Sequence, residues 1–140
     1  MYVLKKILSI LSLTGLILIL ANAVPLFAQN GTVVEVINSS PDHAIFAELL
    51  DTSELDQVIS QDGPYTVIAP TDNAFQELDL NLGELRNTPD QAQDVVMEHL
   101  FQGEVLARDA ENALDIMIIQ GDIRASNGII HITDEVIGQD

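Results

Sequence analysis

The sequence predicts an α+β domain with helices gathered on one side of an antiparallel sheet. Three observations predict it. Apolar residues recur at helical spacing between Val33 and Ile59 and again in "QAQDVVMEHLF" (91–101). The run "YTVIAP" (65–70) is too short and too rich in branched residues for a helix. Two further branched-residue runs flank Asn127-Gly128 near the C-terminal end, the strongest short-range hairpin signal in a sequence.

The chain opens with "MYVLKKILSILSLTGLILILANAVPLFAQN", where Lys5 and Lys6 precede an uncharged apolar run and small residues follow. This is the pattern of a secretory signal, with cleavage expected after Ala28, or else after Ala23. The alternative is an uncleaved anchor, because the apolar run approaches the ~20 residues that span a bilayer. Removal of residues 1–28 leaves about 112 residues for a single domain over 29–140. That part keeps three arginines against 22 acidic residues, a formal charge of −19. Such a surface repels nucleic acid and anionic membranes and suits cationic partners. Membrane contact is expected only through an uncleaved N-terminal segment. There is no cysteine, so an exported domain of this composition is held by packing alone and carries no lipid anchor on cysteine.

Val33, Val34, Val36 and Ile37 fit one helical face, and Pro41-Asp42 suits a new first turn. Ile45, Phe46, Leu49 and Leu50 form a core stripe. Thr52 and Ser53 read as the cap of a further helix carrying Leu55, Val58 and Ile59, stopped by Gly63-Pro64. After the strand 65–70, Thr71 stands where an N-cap is wanted, Asp72 at the positive end of the new helix, and Ala74, Phe75 and Leu78 on its buried side. "DLNLGELRNTPD" reads as a loop, and Thr88-Pro89-Asp90 as the cap of the next helix. "ALDIMIIQGDIRA" and "SNGIIHITDEVI" supply the late strands, with Ile130, Ile132 and Val136 on one face and His131, Thr133 and Glu135 on the other.

Three of these segments carry a family resemblance. "YTVIAPTDNAF" resembles the first signature of fasciclin-like domains through Thr66, Ala69, Pro70, Thr71, Asp72, Ala74 and Phe75. "SNGIIHITDEVI" resembles the second through Asn127, Gly128, His131 and Asp134, and "MEHLFQGEV" resembles the Tyr-His segment between them, with Glu98 in place of the tyrosine and His99 matching the histidine. The resemblance implies a β wedge or sandwich with several short helices along one side, and an exported adhesion module that is not an enzyme. Its implied partners are a cell-surface or matrix protein or polysaccharide, or a second copy of itself. The alternatives are a self-assembling matrix protein, and a small-ligand carrier or enzyme using a groove between helices and sheet. Between His99 and Asn127 the chain is shorter than the family pattern, as though one hairpin were reduced, which would leave a strand edge open to association.

In the family's animal matrix members an Asp-Ile pair before the second signature is implicated in adhesion. The matching pair here is Asp122-Ile123, with Asp115-Ile116 a weaker match; the plainer reading makes Asp122 a solvated turn residue and Ile123 a core residue. His99 is expected to be packed and hydrogen-bonded, and His43 solvated in a first turn. His131 and Asp134 lie three apart on a strand and so on opposite faces. Ser126 beside His131 lacks an orienting acid, and no Gly-x-Ser-x-Gly or phosphate loop occurs, so no cofactor and no catalytic residue is assigned. Residues 79–90 begin like a calcium loop but lack its glycine and closing glutamate, and no histidine cluster has zinc spacing. Asn30-Gly31-Thr32 and Asn38-Ser39-Ser40 match the glycosylation sequon.

Overall fold

A computed structural model describes residues 31–61 and 63–139. The expected export segment lies outside the described residues.

Helix α1 (Val33–Asn38) starts in a capping box: the Thr32 hydroxyl accepts from the Glu35 amide at 3.2 Å, and the Glu35 carboxylate accepts from the Thr32 amide at 2.7 Å. A tight turn, Pro41–His43, leads into α2 (Ala44–Thr52), and α3 (Leu55–Ile59) follows. Strand β1 (Tyr65–Pro70) is followed by α4 (Asp72–Glu77), α5 (Leu82–Asn87) and α6 (Pro89–Glu98). The chain then forms β2 (Leu100–Gln102), α7 (Ala107–Leu114), β3 (Ile118–Ala125) and β4 (Gly128–Thr133).

The four strands form one sheet in the order β2-β1-β4-β3. β2 runs antiparallel to β1, with Thr66 opposite Phe101, and β3 runs antiparallel to β4. The sheet departs from the antiparallel expectation at its centre, where β1 and β4 are parallel with Val67 opposite Ile130. Hairpins force antiparallel neighbours only between consecutive strands, and the long connection between β1 and β4 carries the chain back to the same end. Phe46, Leu49 and Phe75 are fully buried in the apolar core that also takes in Val67, Ala69 and Ile130 from the sheet. Each of these side chains larger than alanine contributes about 1.5–3 kcal/mol relative to exposure.

Four local expectations change. The stretch read as a loop contains α5, because Asn81 Oδ1 accepts from the Glu84 amide at 3.2 Å and Leu85 is buried, with Leu82 packed beside the core. Helix α7 occupies residues that the strand-rich reading did not separate from the sheet. Thr52 ends α2 and does not cap α3; the chain turns through Glu54 at φ 60°, while the Ser53 hydroxyl accepts from the Leu55 amide at 3.3 Å. His43 is buried, not solvated, because the tight turn tucks its ring under the end of β1, where Nδ1–H donates to the Pro70 carbonyl at 3.0 Å.

Candidate interaction surface

Alternation along β1 and β4 gives the sheet a second face, turned away from the apolar core, where three polar side chains, Thr66, His131 and Thr133, stand beside Ile68 and Ile129. All three are fully buried. Each is used to hold a loop. The Thr66 hydroxyl donates to the Gly103 carbonyl at 2.7 Å and accepts from the Val105 amide at 2.9 Å. The Thr133 hydroxyl donates to the Met117 carbonyl at 2.8 Å and accepts from the Glu135 amide at 3.2 Å. His131 Nδ1 accepts from the Asp122 amide at 2.9 Å. A backbone amide only donates, so the ring hydrogen sits on Nε2, which donates to the Val105 carbonyl at 2.6 Å.

Asp122 sits at the irregularity in β3, in left-handed backbone at φ 57°. Its Oδ1 accepts from the Ala107 amide at 3.0 Å, so this carboxylate caps the start of α7 from the neighbouring strand. Gly121 allows that approach: a Cβ there would lie 2.4 Å from Ala107 Cβ. About half of the Asp122 side chain faces solvent, whereas Ile123 packs partly buried against the apolar core. Asp115, also left-handed at φ 54°, ends α7. Ser126 is exposed at the hairpin tip, and His131 has both ring nitrogens bonded to backbone.

The remaining signature residues are joints between elements. Thr71 caps α4 by accepting from the Ala74 amide at 3.3 Å, and Asp72 reaches across to accept from the Ile45 amide of α2 at 2.8 Å. Ala69, Pro70, Ala74 and Phe75 are buried. His99, at the end of α6, donates from Nδ1 to the Val95 carbonyl at 2.7 Å and accepts at Nε2 from the Ile137 amide at 2.9 Å. Its ring stands edge-on to Phe46 at 5.7 Å, and burial lowers its pKa from 6.5 to about 4. The hairpin turn is Ser126-Asn127, with Ala125 opposite Gly128. Asn127 Oδ1 accepts from the Val33 amide at 2.9 Å and Nδ2 donates to the Ile59 carbonyl at 2.5 Å, tying the hairpin to α1 and α3. Gly128 is needed for close approach, since a Cβ there would lie 2.0 Å from the Tyr65 carbonyl oxygen.

At the other end of β3 two large apolar side chains face solvent, while the Ile118 amide donates to Glu111 of α7 at 3.1 Å. β3 is an edge strand, and Met117 and Ile119 are 67% and 57% exposed. The neighbouring groove, about 580 Å³, lies between α4, the end of α7 and residues 134–139. Its apolar lining includes Leu78, Leu114, Ile116 and Val136, and it carries four carboxylates, Glu77, Asp115, Asp134 and Glu135. Among the described residues no group of three or more histidine and carboxylate side chains is arranged to hold a metal ion.

The fasciclin domain family model matches residues 41–117, more than half of the chain. This chain belongs to the fasciclin domain family. Members of that family are adhesion and extracellular interaction modules and are generally not enzymes. The fasciclin fold is present in a solved structure, a FAS1 domain pair from the insect cell adhesion molecule fasciclin I, at a TM-score of 0.63 with 16% identity, over 77% of this chain and 51% of that one. Protein sll1483 of Synechocystis is 27% identical over 76% of this chain and 72% of its own length. The transforming growth factor-beta-induced protein ig-h3 of Sus scrofa is 24% identical over 76% of this chain but 19% of its own length. The chain thus spans about a fifth of ig-h3 and about half of the fasciclin I domain pair.

Most fasciclin signature residues are joints; Asp115, Ile116 and Asp134, singled out in the sequence, line the groove, though nothing in the sequence joins them. The groove's four carboxylates come from three separate places in the chain, so no local spacing groups them. The one signal that points toward it is "IMII" (116–119), an uncharged run too polar in setting to be a core strand on both faces.

Proposed function

We propose that this fasciclin domain is an exported adhesion or interaction module, cut after Ala28 and acting through the β3 edge and the surface beside it at the cell surface or in the periplasm. One observation carries the reading: Ile119 on the edge strand of the sheet, and Met117 just before it, are presented to solvent. An edge strand flanked by exposed apolar side chains favours association with another chain. The lysine-led apolar run at residues 5–20 supports export. Both ring nitrogens of His99 and of His131 are engaged by backbone groups, which supports a role without acid–base chemistry.

Beads coated with the purified protein are expected to adhere to the surface fraction of the host, and Met117→Ser/Ile119→Ser is expected to lower adhesion roughly tenfold, in line with the loss of about 1–2 kcal/mol of apolar contact. Adhesion unchanged by the double substitution would remove the β3 edge from the reading. Intact-mass measurement of the exported protein is expected to begin at Gln29.

A further inference from the structure

We propose that the acidic groove between α4, the end of α7 and residues 134–139 is the docking site for a cationic peptide segment of a partner protein, one that alternates lysine or arginine with apolar residues. The proposal rests on the interaction-module reading and names the partner's chemistry. Four carboxylates, Glu77, Asp115, Asp134 and Glu135, line the groove. Among the described residues the arginine ion pairs lie elsewhere, Arg86 with Glu48 and Arg124 with Glu104, so nothing basic in these pairs neutralises the rim. A concave site with carboxylates of one sign focuses its field on cations.

The lining decides which cation. The carboxylates do not converge as ligands of one metal ion. Leu78, Leu114, Ile116, Val136 and Ile137 are half-buried between them, so a ligand that fills the groove must bring apolar groups as well as charge. A peptide with both kinds of side chain meets both demands; an inorganic cation brings charge alone, and a polyamine adds only thin methylene spacers. The wall is also pre-formed. Thr133 fixes the start of the 134–139 segment by accepting from the Glu135 amide, and His99 fixes its far part by accepting from the Ile137 amide. Little ordering is then required on binding.

The test uses fluorescence anisotropy of a fluorescein-labelled peptide, Lys-Leu-Lys-Leu-Lys-Leu, with the unaltered protein. Binding is expected, with a Lys-Ser repeat of equal charge weaker by roughly tenfold because it buries no apolar surface. Glu77→Gln/Asp134→Asn is expected to weaken binding of the Lys-Leu peptide roughly three- to tenfold, the sum of two exposed charge contacts. Both positions are exposed, so thermal unfolding should be unchanged. The equally charged control, Asp51→Asn/Asp94→Asn on α2 and α6, should change binding less than twofold. Equal weakening by the two double variants would assign the effect to net charge and overturn the proposal, as would equal affinity for the Lys-Leu and Lys-Ser peptides. Displacement of the peptide by calcium alone at micromolar concentration would replace it with a cation site. Bead adhesion that persists while peptide binding fails would discard the groove and leave the module; peptide binding without adhesion would do the reverse.

Discussion

The two faces of the sheet are both buried, but one is held by apolar packing alone and the other sets polar side chains among apolar ones. The helix-covered face presents Val67, Ala69 and Ile130 to Phe46, Leu49 and Val96, and its cohesion is the non-directional removal of apolar surface from water. The other face sets Thr66, His131 and Thr133 beside the buried Ile68 and Ile129, each polar side chain with its donors and acceptors matched to loop backbone. Apolar packing tolerates exchange of shape at similar volume, whereas a buried polar group tolerates almost no loss of its partner. Two signature residues, Thr66 and His131, stand on the second face, where a threonine or histidine is specified atom by atom, while Ala69 and Phe75 belong to the apolar core.

The difference predicts different failures. Phe46→Ala, on the apolar face, should cost about 3–5 kcal/mol in denaturant unfolding, through lost transfer energy and a cavity. His99 belongs to both worlds, packed on Phe46 yet hydrogen-bonded at both nitrogens. Burial lowers its pKa to about 4, while the unfolded chain takes up a proton near 6.5. Its contribution is therefore complete above pH 6.5 and is lost as pH falls toward 4, where the unfolded state holds the extra proton. The loss amounts to about 3 kcal/mol at ~1.4 kcal/mol per unit, read as the difference in pH profile between the parent and His99→Gln. A parent profile parallel to the variant's from pH 6.5 to 4 would show that the ring protonates freely in the folded protein.

Thr66→Val keeps the shape on the polar face and removes the hydroxyl, leaving the Val105 amide and the Gly103 carbonyl without their partner. The expected cost is about 1–3 kcal/mol. Amide exchange should locate it in residues 103–107 with the helix-covered core unaffected. Equal loss of protection on both sides would mean that the polar face is not a separable layer.

What was legible in the sequence follows the same division. Helical stripes and strand alternation are periodic, so the apolar core of α1, α2, α6 and β1 could be read from spacing. Asn127-Gly128 announced a hairpin correctly but for another reason than turn geometry: Asn127 bonds α1 and α3, and Gly128 lets β4 approach β1. The parallel β1/β4 pairing, the burial of His43 and the capping of α7 by Asp122 depend on contacts between residues far apart in the chain. Local patterns carry no record of such contacts. The groove escaped for the same reason, as its carboxylates converge only once α4, α7 and the C-terminal segment are placed.

The smallest expected effect concerns Asp122, where the adhesive and structural readings of the Asp-Ile pair meet. Its carboxylate caps α7 and yet keeps about half its surface in solvent. Asp122→Asn separates the two roles: asparagine tolerates left-handed backbone and keeps an oxygen to accept from the Ala107 amide, but carries no charge. Stability should change by less than about 0.5 kcal/mol. Asp122→Ala loses the cap and strains the backbone, at a cost of about 1–2 kcal/mol. The geometry favours the cap, so adhesion should survive in the asparagine variant and fall in the alanine variant only as far as the fold does. Adhesion lost in Asp122→Asn, with unfolding unchanged, would instead place the charge itself against a partner and extend the interaction surface from Met117 along β3 to the start of α7.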